Sequence, residues 1–241
     1  MNHLNKIGKA ELLALKENYK GDIKEAEELL KKNYPIQYLI GYVDFYNCKI
    51  NVNENVLIPR FETEYLIEKA IHLLQNKKIK KGIDLCTGSG AIAIALKKNL
   101  DIKIDACDIS DEALEVAKKN ALENNVHINF FKKDILKNNL DGKYDFIISN
   151  PPYVKKGEYT SEETAYEPQI ALFADETGLI FYKKIIELSK SILNPHGIII
   201  FEIGATLGED IKKIALDIYP KANIKIEKDF NKLDRFMFIE T

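Results

Sequence analysis

Cysteine is scarce in this chain. Cys48, Cys86 and Cys107 include no CxxC pair and match no disulfide framework, which suits a reducing compartment. Cys48 and Cys107 read as small buried residues. Four histidines, His3, His72, His127 and His196, are scattered without metal-ligand spacing, so no metal is assigned. Arginine is nearly absent: Arg60 and Arg235 are the only two among 35 basic residues, which face 37 acidic ones. With a formal charge of −2 and no dense Lys/Arg run, a dedicated nucleic-acid stripe is missing, and no stable nucleic-acid binding is expected. Long apolar runs are missing as well. The N-terminus is charged and amphipathic, with no apolar stretch of the kind a secretion signal or a bilayer span needs, so no membrane association is expected and the cytoplasm is the expected location.

What is present is an ordinary globular composition, 46% hydrophobic and 30% charged over 241 residues, enough for one substantial domain with a small appendage. Residues 9 to 20 and 22 to 32 carry apolar positions at helical spacing around Gly21-Asp22, which predicts a short helical hairpin closed by Pro35. From Tyr42 to Val52 the sequence alternates and is rich in β-branched and aromatic residues, predicting a strand pair. The expected organisation is a helical region over 1–34, a β-hairpin linker over 35–58 and a main domain over 59–241. In the main domain, helical patterns at 62–76, 90–99, 111–124, 177–193 and 207–217 alternate with seven short apolar runs. Such alternation predicts an α/β fold: a seven-stranded, mostly parallel sheet with helices on both faces, its ligand beyond the C-terminal strand ends.

Two motifs fall at those ends. In Asp84-Leu85-Cys86-Thr87-Gly88-Ser89-Gly90 a strand runs into a glycine turn and then a helix, which lets the backbone approach a nucleotide-like ligand. Asp108 closes the next strand, where a carboxylate can accept from ribose hydroxyls. This pattern alone fits a dinucleotide-binding dehydrogenase as well as a methyltransferase. Asn150-Pro151-Pro152-Tyr153, after the strand Tyr144 to Ser149, favours the second. Consecutive prolines donate no backbone hydrogen bonds and hold their carbonyls outward. An Asn oxygen beside such a carbonyl can accept both N–H bonds of a planar NH2 group, with the Tyr ring against the substrate's π face. On that reading Asn150→Asp, which keeps an acceptor oxygen, outperforms Asn150→Ala.

Together with Pro35-Ile36-Gln37-Tyr38-Leu39-Ile40-Gly41, Leu57-Ile58-Pro59-Arg60-Phe61-Glu62-Thr63-Glu64, Glu167-Pro168 with Ala171-Leu172, and Phe201-Glu202-Ile203-Gly204, these motifs resemble the HemK/PrmC family of protein-(glutamine-N5) methyltransferases. The resemblance runs from about Pro35 to the C-terminus. It implies a class I, Rossmann-like methyltransferase fold, S-adenosyl-L-methionine as cofactor, and the Gly-Gly-Gln glutamine of peptide chain release factors as the target, with ribosomal-protein glutamine and nucleic-acid amines as alternatives. It also implies roles: Cys86, Thr87, Gly88, Ser89 and Gly90 around the methionine end of the cofactor, with Asp84 and Asn150 also in the cofactor site, Asp108 on the ribose, Ile135 beside the adenine, and Asn150, Pro151, Pro152 and Tyr153 on the substrate glutamine. Arg60 is a supporting candidate in a loop that the family folds over the site. Glu202 ends a strand at the same edge and reads as a carboxylate capping the turn that follows. The chain departs from the family at Phe61, where proline is usual, and at Cys86, where many members have glycine. The segment ahead of Pro35 is shorter than the family's substrate-recognition region.

Overall fold

The computed structural model describes residues 9–158 and 160–241, so the first eight residues of the predicted N-terminal region, His3 among them, lie outside the described residues. Helices α1 (Lys9–Asn18) and α2 (Ile23–Leu30) stand where helical spacing places them. The Asp22 carboxylate caps α2 by accepting from the Lys24 N–H at 2.8 Å. Leu15, Ala26 and Leu30 form a small cluster of their own, against which Ile36 and Leu39 pack. Pro35 does more than close this segment. It is the N-cap of a short helix α3 (Ile36–Ile40), which ends at Gly41 with φ +87°.

The alternating stretch folds as a hairpin of β1 (Tyr42–Phe45) and β2 (Cys48–Asn51). Tyr46 and Asn47, both at positive φ, make the two-residue turn whose twist matches that of the strands. Phe45, Cys48, Ile50 and Val52 are buried in the same apolar core as Phe146 and Ile148 of the main sheet.

The remaining elements are α4 (Phe61–Gln75), β3 (Lys81–Leu85), α5 (Ala91–Asn99), β4 (Lys103–Asp108), α6 (Asp111–Glu123), β5 (Asn129–Lys132), β6 (Tyr144–Ser149), α7 (Gln169–Leu172), α8 (Ile180–Ile192), β7 (Leu193–Glu202), α9 (Gly208–Ile218), β8 (Asn223–Lys228) and β9 (Asp234–Glu240). All seven predicted strands of the main domain form. Their order is β5-β4-β3-β6-β7-β9-β8, parallel except that β9 runs antiparallel to both neighbours. Alternate strand residues feed two cores. Phe146, Ile148 and Ile200 face Leu66, Ile67 and Ala70 of α4 and the apolar α5, while Ile147 and Ile199 face Ile185 and Ile186 of α8 and Ile211 of α9.

One side chain fastens the hairpin to this sheet. Asn120 of α6 is fully buried, and its amide donates to Asn51 O at 3.0 Å and to Ser89 O at 2.9 Å while its Oδ1 accepts from the Asn51 N–H at 2.8 Å. The chain builds β3, β4 and β5 outward, then returns to place β6 against β3. The order therefore reverses between β3 and β6, the point at which open α/β sheets hold their ligands. No helix among the described residues is long and apolar enough to cross a membrane.

Candidate active site

A cavity of about 350 Å³ opens at that reversal, within the ~300–1,000 Å³ usual for small-molecule sites. The Leu85↔Ser149 register brings the ends of β3 and β6 together, and Ser149 Oγ donates to Leu85 O at 2.6 Å. The glycine turn and Asn150 are thereby set on one cavity, with Cys86 to Ser89, Asp108, Ile135, Asn150, Pro152 and Arg60 all in its wall. Four predicted residues lie off that wall: Asp84, Gly90, Pro151 and Tyr153.

The turn is shaped for close approach. Gly88, at φ +53°, has open space where a Cβ would stand, so its backbone is bare toward the cavity. Gly90, at φ +80°, begins α5 close against Ala117. Cys86 also sits in the left-handed region, at φ +60°. That conformation explains why glycine suits this position, and its cost to a residue with a Cβ is ~1–2 kcal/mol. Cys86→Gly and Cys86→Ala both remove the thiol and differ only in the Cβ. The glycine variant should be the more stable of the two by about 1 kcal/mol in urea unfolding. Equal midpoints would show that the turn is not strained at Cys86.

Two carboxylates underlie the turn. Asp84 is fully buried; its Oδ2 accepts from Thr87 Oγ1 at 2.5 Å, and its Oδ1 has no hydrogen-bond partner, the Ala93 amide lying outside bonding geometry. Burial pushes its pKa up to about 7, with Asp108's charge adding to the rise and the Thr87 hydrogen bond opposing it. Asp108 accepts the Gly88 N–H at 2.8 Å on Oδ2 and the Ser110 N–H at 3.1 Å on Oδ1, so it clasps the turn while lining the cavity. Burial raises its pKa, against the backbone N–H bonds.

Asn150 follows β6 directly and reaches the cavity with Pro152. The Tyr153 ring packs beside Gly204 and Leu207, and its hydroxyl is pushed up to about 12 by burial first and Glu202 second. Glu202 does not cap the following turn, as its position at a strand end suggests. It is 2% exposed, and its Oε2 accepts from Thr63 Oγ1 on α4 at 2.6 Å. Packing of α4 across the strand ends supplies this side-chain donor.

Arg60 has two relations. Its guanidinium pairs with Glu167, a buried carboxylate whose Oε1 accepts the Ile58 N–H at 3.0 Å, and it also faces the cavity. The pair ties the Leu57–Arg60 segment to the Tyr166–Pro168 segment, the two motifs that sequence similarity singles out. Ile135 is buried in the wall next to Asp134, whose carboxylate pairs with Lys137 at 3.1 Å. Among the described residues, no group of three His, Cys, Asp or Glu side chains is placed to hold a metal.

Comparison with known proteins decides the family. Residues 63–167 match the methyltransferase small domain model. A release factor glutamine methyltransferase from Flavobacterium psychrophilum is 43% identical over 219 residues, covering 86% of this chain and 76% of that protein. This chain belongs to the release factor glutamine methyltransferase family. A family member from Enterococcus faecalis is 39% identical over 90% of this chain and 82% of its own length. The fold matches a methyltransferase from Pyrococcus furiosus with a TM-score of 0.59 at 20% identity, over 80% of this chain and 88% of that one. The family assignment makes the two departures informative. Phe61 is the first residue of α4, where proline is favoured because the backbone N–H has no helical partner; phenylalanine meets the same backbone requirement, and its exposed ring joins Tyr65 and Phe230 in an aromatic cluster. Sequence reading missed several wall residues, Thr63, Ile170 and Phe181 among them.

Proposed function

We propose that this chain transfers the methyl group of S-adenosyl-L-methionine to the side-chain amide nitrogen of a glutamine in peptide chain release factors, within the Gly-Gly-Gln segment. The observation that carries this reading is the meeting of Asn150 and the Cys86–Ser89 turn on one cavity in a chain of this family. The cavity suits the cofactor. Gly88 leaves the turn's backbone bare, and the Asp108 carboxylate that clasps the turn lines the cavity and favours a ligand that carries positive charge. In this reading the turn takes the methionine end, Asp108 the ribose and Ile135 the adenine, while Asn150 to Tyr153 hold the glutamine.

S-adenosyl-L-methionine supplies a sulfonium methyl, already a strong electrophile. The protein's task is at the nitrogen, because an amide lone pair is delocalised into its carbonyl. Asn150 Oδ1, in the cavity wall, would accept one amide N–H and the Pro151 carbonyl, which starts off that wall, would have to turn toward the substrate to accept the other; together they would aim the nitrogen at the methyl and stabilise the positive charge that develops on it. Alignment of this kind supplies several kcal/mol, up to ~7–11 for well-placed partners. No general base is required before transfer, since the N-methylated amide cation is acidic enough to lose its proton to water or to the same acceptors. The Asn150 to Tyr153 motif contains no His or Cys, which accords with that chemistry.

The test is incubation with labelled cofactor and, separately, a release factor, ribosomal protein and nucleic acid, followed by tandem mass spectrometry. One methyl on the release-factor glutamine side chain is expected. Methyl on a lysine, a ribosomal protein alone or a nucleobase would overturn the reading.

A further inference from the structure

If Asn150 works by accepting N–H bonds, its carboxamide has one correct orientation and one useless one, with the oxygen or the NH2 toward the cavity. We propose that Glu202 is a positioning residue that holds the Asn150 carboxamide with its oxygen toward the substrate. The proposal rests on the glutamine methyltransferase reading and assigns a task to a carboxylate that the cofactor and substrate contacts leave without one.

The placement follows from the sheet. β6 and β7 are parallel with Ser149 opposite Phe201, so the next residues along, Asn150 and Glu202, leave the two strands side by side. Glu202 is almost wholly buried behind the cavity wall to which Asn150 and Thr63 belong. Its carboxylate accepts from Thr63 Oγ1 at 2.6 Å on one side, and on the other it faces the Asn150 side chain, which favours its charged form. An ionised carboxylate only accepts, so the edge of Asn150 that meets it must be the NH2. Oδ1 is then turned away from Glu202 and left for the substrate. The orientation is imposed by chemistry, because the reverse would set two acceptors against each other in a buried site. A buried negative charge behind the acceptor also favours the cation forming on the substrate nitrogen.

Protonation removes this constraint. A protonated Glu202 carries an O–H that can donate to Asn150 Oδ1, so both orientations of the carboxamide are satisfied. The groups facing Glu202 are Glu62 and Thr63 on α4, Arg235 on β9, Tyr153 after β6 and Tyr182 on α8. Burial is the largest influence and raises the pKa to about 7, the Thr63 hydrogen bond, Arg235 and Asn150 pull it down, and Glu62 pushes it up. With the active form ionised, turnover falls as the pH drops through that value.

The experiment is a steady-state pH profile of the full chain with a release-factor substrate and saturating cofactor, comparing wild type, Glu202→Gln and Thr63→Val. Glutamine fills the same space but presents both an acceptor and a donor and does not titrate. Its kcat should fall roughly 10- to 100-fold, as for outer partners that orient working groups at metal sites, with the cofactor KM unchanged and the acid limb of kcat abolished. Thr63→Val removes a donor that favours the ionised form, so the limb should move to higher pH. A merely structural Glu202 moves neither limb. Asp84, which is also raised to about 7, stays in every variant, so a limb that survives Glu202→Gln belongs elsewhere and overturns the proposal. A kcat for Glu202→Gln equal to wild type overturns it too, as does an unshifted limb in Thr63→Val should the glutamine variant fail to fold. A wild-type enzyme that leaves glutamine unmethylated fails the function reading instead, which separates the two outcomes.

Discussion

Replacing Asn150 with alanine should lower turnover by about 100- to 1,000-fold, the loss typical when one preorganised hydrogen-bonding group is removed from the place where charge develops. The alanine leaves a substrate N–H buried without a partner, at about 1–3 kcal/mol, and releases the nitrogen from its line of attack. Cofactor affinity should change far less. The aspartate variant separates sequence logic from structural logic. Read from the motif, aspartate keeps an acceptor oxygen and ranks above alanine. If Glu202 holds Asn150 as proposed, that ranking reverses, because the aspartate deletes the amide nitrogen that would face Glu202, a buried carboxyl already raised to about 7. Two carboxylates in contact share a proton and lose the fixed geometry. Asn150→Asp should therefore fall to the alanine level, and Glu202→Gln added to it should restore activity over the single aspartate variant. Initial rates with mass-spectrometric detection of the methylated glutamine check this. Alanine turning over as fast as wild type would remove Asn150 from the chemistry.

Asp108→Ala should raise the cofactor KM by about 100-fold, equivalent to roughly 3 kcal/mol for losing hydrogen bonds to a charged group, while kcat at saturation stays near wild type because a ribose contact is the same in ground and transition states. Part of that loss is indirect, since Asp108 clasps the Gly88 N–H and its removal loosens the turn. Titration calorimetry of the cofactor's demethylated product measures the binding directly. The neighbouring carboxylate on the same strand is no substitute: Asp105 accepts from Tyr144 Oη at 2.8 Å, pairs with Lys81 at 2.7 Å and stands outside the cavity wall. A collapse of kcat with unchanged affinity would show that Asp108 acts on the reaction and not on the cofactor.

The main sheet was legible in the sequence because its strands are buried on both faces and read as short apolar runs between helical patterns, a signal that local spacing carries. Short elements were not. α3 and α7 have five and four residues, too few for a period to emerge, and each follows a proline. The helix expected from residue 177 begins at Ile180, because the Asp175 carboxylate takes the Gly178 and Leu179 N–H groups at 2.8 and 3.2 Å in a turn of its own. At the site, residues inside a motif were legible and residues delivered by packing were not. The Arg60–Glu167 pair joins two quoted motifs, yet nothing in the spacing of either indicates its partner. Thr63 belongs to a quoted motif, but its bond to Glu202 arises only when α4 crosses the end of β7.

The buried Asn120 carboxamide makes the hairpin and the glycine turn a single unit of local unfolding: neither can open without breaking bonds that serve the other. Whatever settles on the turn therefore slows the breathing of a hairpin strand, and deuterium uptake at the Asn51 amide becomes a reporter of occupancy for a cavity that Asn51 does not line.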